Sequence, residues 1–168
     1  ARFTLDVGAS TGLATILAAQ GSALASYSGG IVLPGPRPVF SAESVANSAG
    51  FGGPGVAPGE IVSIYGAFLG PVEGQENRGL DPVTGLLPGA LAGALVSFDG
   101  KYAPLFYVRD DQVNAQAPYE IAGRSETVVR VRNRDLLSDP VTISVVDSVP
   151  GIYTVPGGGQ AIVLNPDG

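Results

Sequence analysis

Paired carboxylates are the first residues in this chain to test for chemistry. Asp110-Asp111, Glu73 with Glu76, and Asp135 with Asp139 lie near one another in sequence, and such pairs can hydrolyse glycosides or hold calcium. Their spacing argues against both. Neighbouring strand residues such as Asp110 and Asp111 point to opposite faces unless a turn reorients them. None of the pairs has the dense D-x-D-x-D-G spacing of a calcium loop, so turn formation and solvation are the expected roles. The chain has no His and no Cys, which rules out the common nucleophile–base pairs and His/Cys zinc sites. Its one lysine, Lys101, follows Asp99-Gly100, and an exposed hairpin tip is a poor place to depress a lysine pKa. Gly157-Gly158-Gly159 lacks the strand–helix context and the Lys of a phosphate loop and reads as a turn. The expectation is a protein with no catalytic, cofactor-binding or metal-ligating residue.

Binding remains open. Asn114, Gln116 and Tyr119 could form a polar sugar-binding patch. The competing expectation is that the two amides satisfy backbone groups at an irregular strand edge. Tyr65, Tyr102, Phe106, Tyr107 and Tyr153 are expected in the core rather than on a binding platform. Arg130, Arg132 and Arg134 alternate, which places all three on one solvated strand face. The net charge is −6, and no basic stripe offsets it, so nucleic acid is excluded as a partner.

The elements that must carry these residues are strands. Of 168 residues, 25 are Gly and 14 are Pro, a frequency that punctuates the chain too often for long helices. Hydrophobic residues make up 45% and charged residues 14%, ample for a core that has no disulfide to help it. Strands are predicted at residues 60–66, 91–98, 102–108 and 112–117. Asp99-Gly100 forms a hairpin turn between the second and third of these. Thr127, Val129 and Val131 alternate with Val128, Arg130 and Arg132. Val141, Ile143 and Val145 alternate with Thr142 and Ser144. Both patterns are those of half-buried antiparallel strands. Residues 152–155 and 161–164 complete a set of about seven strands, the number of an immunoglobulin-like sandwich. Residues 70–90 read as a long loop.

Residues 1–40 are different. Phe3, Leu5 and Val7 alternate with Arg2, Thr4 and Asp6 as in a strand. Residues 13–24 leave helix and strand both open: the alanines favour helix, while Gly12, Gly21 and the Ser/Thr content allow strand. Residues 29–33 suit another short strand. Pro34-Gly35-Pro36-Arg37-Pro38 is a stiff, extended connector, after which the main domain is expected from about residue 41 to 168. Residues 12–25 superficially resemble a signal-peptide core with an Ala23-Leu24-Ala25 cleavage site, although the basic segment before it is poor. Ala1 rather than Met at the first position is expected of a processed chain or of a fragment, and processing by a signal peptidase fits export. The absence of Cys, Met and Trp leaves little that oxidises readily and suits a long-lived extracellular protein. No apolar run reaches the roughly 20 residues of a membrane-spanning helix.

Five segments carry a resemblance. They are Val56-Ala57-Pro58-Gly59-Glu60-Ile61-Val62-Ser63-Ile64-Tyr65-Gly66, Ala103-Pro104-Leu105-Phe106-Tyr107-Val108, Gln112-Val113-Asn114-Ala115-Gln116-Ala117-Pro118-Tyr119-Glu120, Pro150-Gly151-Ile152-Tyr153-Thr154 and Gly159-Gln160-Ala161. In this order they resemble an Ig/IPT-like domain of unassigned function, found at the C-termini of large secreted proteins of acidobacterial (Solibacter-type) bacteria. The resemblance spans residues 45–168. It implies secretion and an immunoglobulin-like (IPT-like) antiparallel sandwich, and it brings no catalytic residue with it.

The expected function is therefore structural: a subunit of an extracellular filament or surface polymer of identical chains. Residues 1–33 would serve as an intermolecular arm through Phe3, Leu5, Val7, Leu13, Ile16, Leu17 and Leu24, adding a strand to a neighbour's sheet. The alternative is an adhesive or carbohydrate-binding module of a larger secreted protein, in contact with a cell surface or its glycans. An enzyme is the third and weakest reading.

Overall fold

Asp99 and Gly100 both have positive φ, 48° and 81°, the conformation that lets a two-residue turn match the twist of paired strands. Ser97↔Tyr102 and Phe98↔Lys101 pair across that turn, as the Asp-Gly dipeptide predicts. The hairpin belongs to a computed structural model that describes residues 12–20, 23–31, 35–50, 55–155 and 159–163. The chain divides into two compact units, Ala1–Gly35 and Pro36–Gly168.

In the first unit, β1 (Gly12–Gln20) and β2 (Ala23–Ile31) pair antiparallel in unbroken register from Gly12↔Ile31 to Gln20↔Ala23. The helix-or-strand ambiguity of residues 13–24 thus resolves to two strands. The stretch 29–33 is not a strand of its own, since Gly29 to Ile31 end β2. By register, positions 13, 17 and 24 share one face of the ribbon and position 16 lies on the other. Phe3, Leu5 and Val7 lie outside the described residues.

The second unit is the expected all-β sandwich of two antiparallel sheets. One sheet has the order β3–β4–β10–β9–β5, with β3 at Val39–Asn47, β4 at Ile61–Ala67, β5 at Gln75–Glu76, β9 at Leu105–Val108 and β10 at Gln112–Gln116. The other is built on β7 (Ala94–Phe98) and β11 (Glu126–Asn133). β6 (Ala90–Leu91) and β8 (Lys101–Tyr102) flank β7, and β12 (Leu136–Leu137) and β13 (Val141–Ser144) flank β11. The inward positions follow the period of two. Ala94, Val96 and Phe98 of β7 face Val62 and Ile64 of β4 and Val113 and Ala115 of β10 across one buried core, joined by Val129, Val131 and Ile143.

Several expected elements differ. Residues 102–108 are not one strand: Tyr102 pairs in one sheet and Leu105 in the other. Ala103 and Pro104 carry the chain across, and Pro104 supplies only its carbonyl, to Gln116 N. Phe106 is an extra residue opposite β10, a bulge that lets Leu105 and Val108 both point inward. Strand β3 had no predicted counterpart. Residues 152–155 and 161–163 are not strands, and Leu164 lies outside the described residues. Among the described residues there they hold a single bridge, Thr154↔Ala161, because Ile152, Val155, Ile162 and Val163 are exposed and have no sheet face to cover. Arg134 takes φ 54° beyond the end of β11 and leaves the face shared by Arg130 and Arg132. No helix among the described residues is long and apolar enough to cross a membrane.

Candidate functional site

The segment preceding β4 and the segment following β13 come together at one end of the sandwich. Val56 pairs in parallel with Val145, its N–H donating to Ser144 O at 2.9 Å and its carbonyl accepting from Val146 N at 3.0 Å. This clamp brings Pro58-Gly59-Glu60 beside Pro150-Gly151 and Tyr153. Together with Asn47, Asp147 and Ser148 they line an open cleft of about 370 Å³. Two of the resemblance-bearing segments therefore meet in one place.

Asn47 organises the cleft. It is buried at the end of β3 and uses every polar atom of its side chain. Nδ2 donates to Glu60 Oε1 and to Val149 O, both at 2.8 Å. Oδ1 accepts from Ala49 N at 2.8 Å and Gly50 N at 2.9 Å. Glu60 also accepts Ala57 N–H on Oε2 at 2.7 Å. Burial of Glu60 raises its carboxyl pKa above the ordinary value, against the lowering effect of those two donors. Each Glu60 oxygen carries one donor, so each keeps a free lone pair for a hydroxyl in the cleft. Gly59, at φ 77°, lies against the Tyr119 ring, and a Cβ there would fall 2.4 Å from Tyr119 Cε1.

The sequence candidates are dispersed. Asn114 Oδ1 accepts from Ser63 Oγ at 3.1 Å and Gln112 Nε2 at 2.9 Å, and Ser63 Oγ bonds Ser48 Oγ at 2.9 Å. Gln116 Nε2 donates to Gly59 O at 3.1 Å. Asn114 thus ends in a side-chain ladder, and Gln116 on the backbone of Gly59, the residue that lies against the exposed Tyr119 ring. None of the five aromatics expected in the core is fully buried, and Tyr102 and Tyr153 are exposed. Both sit where a strand ends or is lacking, so no second sheet covers them. Asp110 and Asp111 occupy the β9–β10 turn. Asp111 accepts Arg109 in a bidentate pair, with Nη2 to Oδ2 at 2.7 Å. Glu73, Glu76, Asp135, Asp139 and Lys101 are all exposed. Among the described residues, no three His, Cys, Asp or Glu side chains cluster as a metal site.

Asn47 and Glu60 are not among the candidate residues that spacing and residue type suggest. A usable signal was present: a carboxylate within an otherwise apolar strand entry, Pro58-Gly59-Glu60-Ile61-Val62, implies a local donor. Compared with known proteins, the chain matches no family model, no curated protein and no solved structure.

Proposed function

We propose that this chain is a non-enzymatic extracellular structural protein whose copies are joined through the N-terminal arm. One observation carries the reading. β1 and β2 form a ribbon of two nine-residue strands in a unit separate from the sandwich, and the residues of both strands include no charge. A lone two-stranded hairpin is marginal in water. An uncharged one with apolar positions on both faces needs a surface to lie on. Each large aliphatic side chain moved from water to a neighbour's surface contributes about 1.5–3 kcal/mol before ordering costs. Among the described residues no further strand pairs with either edge of the ribbon, and such an edge can extend a neighbour's sheet. An arm-to-sandwich contact is head-to-tail and propagates into open fibres unless a ring closes.

The test compares the full chain with a version lacking residues 1–33, by light scattering and negative-stain microscopy. Particles that grow with concentration, and shrink to monomers after the deletion, support the reading. A full chain that stays monomeric at high concentration removes it.

The cleft beside Glu60 favours a second reading, an adhesive module for neutral glycans. The exposed Tyr153 ring offers a stacking face, Glu60 and Ser148 offer hydrogen-bonding groups, and no basic residue lines the cleft to attract an anionic polymer. Retardation in a native gel containing hydroxyethyl cellulose, abolished by Tyr153→Ala, is its expected signature.

A further inference from the structure

The loop between β5 and β6 leaves large aliphatic side chains in water. Leu80 is 61% exposed, Val83 91% and Leu86 67%, and the neighbouring Tyr102 of β8 is 62% exposed. The loop is nonetheless ordered by its own bonds. Asp81 Oδ1 accepts Val83 N at 2.9 Å and Thr84 N at 2.8 Å, and Asp81 N donates to Leu86 O at 2.8 Å. Leu105 N donates to Pro88 O at 3.1 Å and ties the loop's end to β9. Leu80, Leu86, Leu87, Tyr102, Pro104 and Gln116 line a second cleft of about 460 Å³, and no lining residue carries a charge. Held open by a fixed turn, a concave apolar surface of this kind marks an interaction site.

We infer that this cleft is the acceptor for the arm of a second copy: the uncharged ribbon β1–β2 lays the face bearing positions 13, 17 and 24 into the cleft lined by Leu80, Leu86 and Tyr102. This inference rests on the arm-joined reading above. Charge matching selects the occupant, because a charged segment would lose its hydration against a lining that has no counter-ion. The strand order supports the same place. β8 pairs with β7 on one side and has no strand on its other side among the described residues, so a ribbon edge can add there while its leucines fill the cleft.

The chain has no native cysteine, so disulfide trapping tests the contact directly. One full-length chain carries Leu17→Cys and a second carries Leu86→Cys, and the two are mixed under mild oxidation. A mixed disulfide dimer is expected, and none when Leu86→Cys is replaced by Thr142→Cys on the exposed edge of β13. Equal trapping by the two partners overturns the inference. So does concentration-independent trapping within a single chain that carries both Leu17→Cys and Leu86→Cys, which would place the arm on its own sandwich. Leu86→Asp lies in an exposed loop and leaves the fold intact by circular dichroism, and it should abolish the sedimentable polymer. If Leu86→Asp polymer persists while deletion of residues 1–33 removes it, the arm is the joint and this cleft is not its acceptor. If neither change affects the polymer, the arm-joined reading itself falls.

Discussion

Asn47 and Glu60 are joined by a hydrogen bond of 2.8 Å from Nδ2 to Oε1, and this bond holds the carboxylate at the cleft while the other Nδ2 hydrogen ties down Val149. Removing Asn47 would orphan donors at Ala49 and Gly50 and acceptors at Glu60 and Val149 together. Asn47→Ala is expected to cost about 2–4 kcal/mol in urea unfolding. Asn47→Asp keeps the shape but sets a second carboxylate against Glu60, so its cost should grow as the pH rises. A loss for Asn47→Ala below about 1 kcal/mol would mean that water replaces these bonds and the cleft is not built around Asn47.

Glu60 gives the fold a distinctive pH dependence. Its folded pKa is raised above the ordinary 4.5 by burial, with Ala57 N–H and Asn47 acting in the opposite direction. The folded state thus holds this proton more tightly than the unfolded chain. The contribution to stability is full below the unfolded value and is lost as the pH rises through the folded one. Asp81, Asp99 and Asp111 behave oppositely. Their pKa values fall below the ordinary 3.8, mainly through hydrogen bonds to the carboxylates, and their contributions are lost as the pH falls through the folded values. Urea midpoints measured between about pH 7.5 and 3 should rise on acidification toward 4.5 and then drop. Glu60→Gln should flatten the upper limb and leave the lower one unchanged. A Glu60→Gln profile parallel to the parent throughout would place the proton elsewhere.

Local patterns reported the sandwich faithfully and long-range contacts less so. Thr127, Val129 and Val131 alternate with Val128, Arg130 and Arg132 and are buried as that period requires, and Asp99-Gly100 turns where its chemistry dictates. β3 escaped notice because Ser41 to Ser44 loop out of register between the pairs Phe40↔Gly66 and Val45↔Ile64. A Ser44 Oγ bond to Ser41 N closes that loop, and the bulge erases the period of two on which strand recognition depends. The cleft was hidden for another reason. Asn47 and Glu60 meet through the β3–β4 pairing, in which Asn47 lies opposite Val62, and the Val56–Val145 bridge sets the course of the segment that carries Val149. The aromatic side chains misled because edge and turn positions left them half in water, while Phe98 alone of the described aromatics is fully buried.

That bridge makes Gly55 sensitive. A Cβ at Gly55 would fall 2.3 Å from Ser144 O, a backbone atom that cannot swing aside while it accepts Val56 N–H. Gly55→Ala is expected to cost about 1–3 kcal/mol as overpacking, and to speed hydrogen exchange at Val56 and Val146. Unchanged exchange at both amides would show that the parallel clamp does not depend on this close approach.

Asp99 does more than turn the chain. Its carboxylate accepts Thr127 Oγ1 at 2.8 Å, Val128 N at 2.9 Å and Arg124 Nη1 at 3.2 Å, so the β7–β8 tip is bonded to β11 across the sheet. Val128 O in turn accepts Asp99 N at 2.8 Å. Thr127 is buried and has no water to replace a lost acceptor. Asp99→Ala should therefore cost about 1–3 kcal/mol, with added strain because Ala tolerates positive φ poorly. Asp99→Asn keeps one carbonyl acceptor and the tolerance of positive φ, so it should retain most of the stability. The two variants also separate geometry from charge. The carboxylate's contribution is present above the ordinary 3.8 and is lost as the pH falls through its lowered folded value. The gap between the parent and Asp99→Asn should accordingly close on acidification, while the deficit of Asp99→Ala relative to Asp99→Asn persists at every pH. Equal unfolding midpoints for Asp99→Ala and Asp99→Asn at neutral pH would refute the role of this side chain as a cross-strand tie and leave it as an ordinary turn residue.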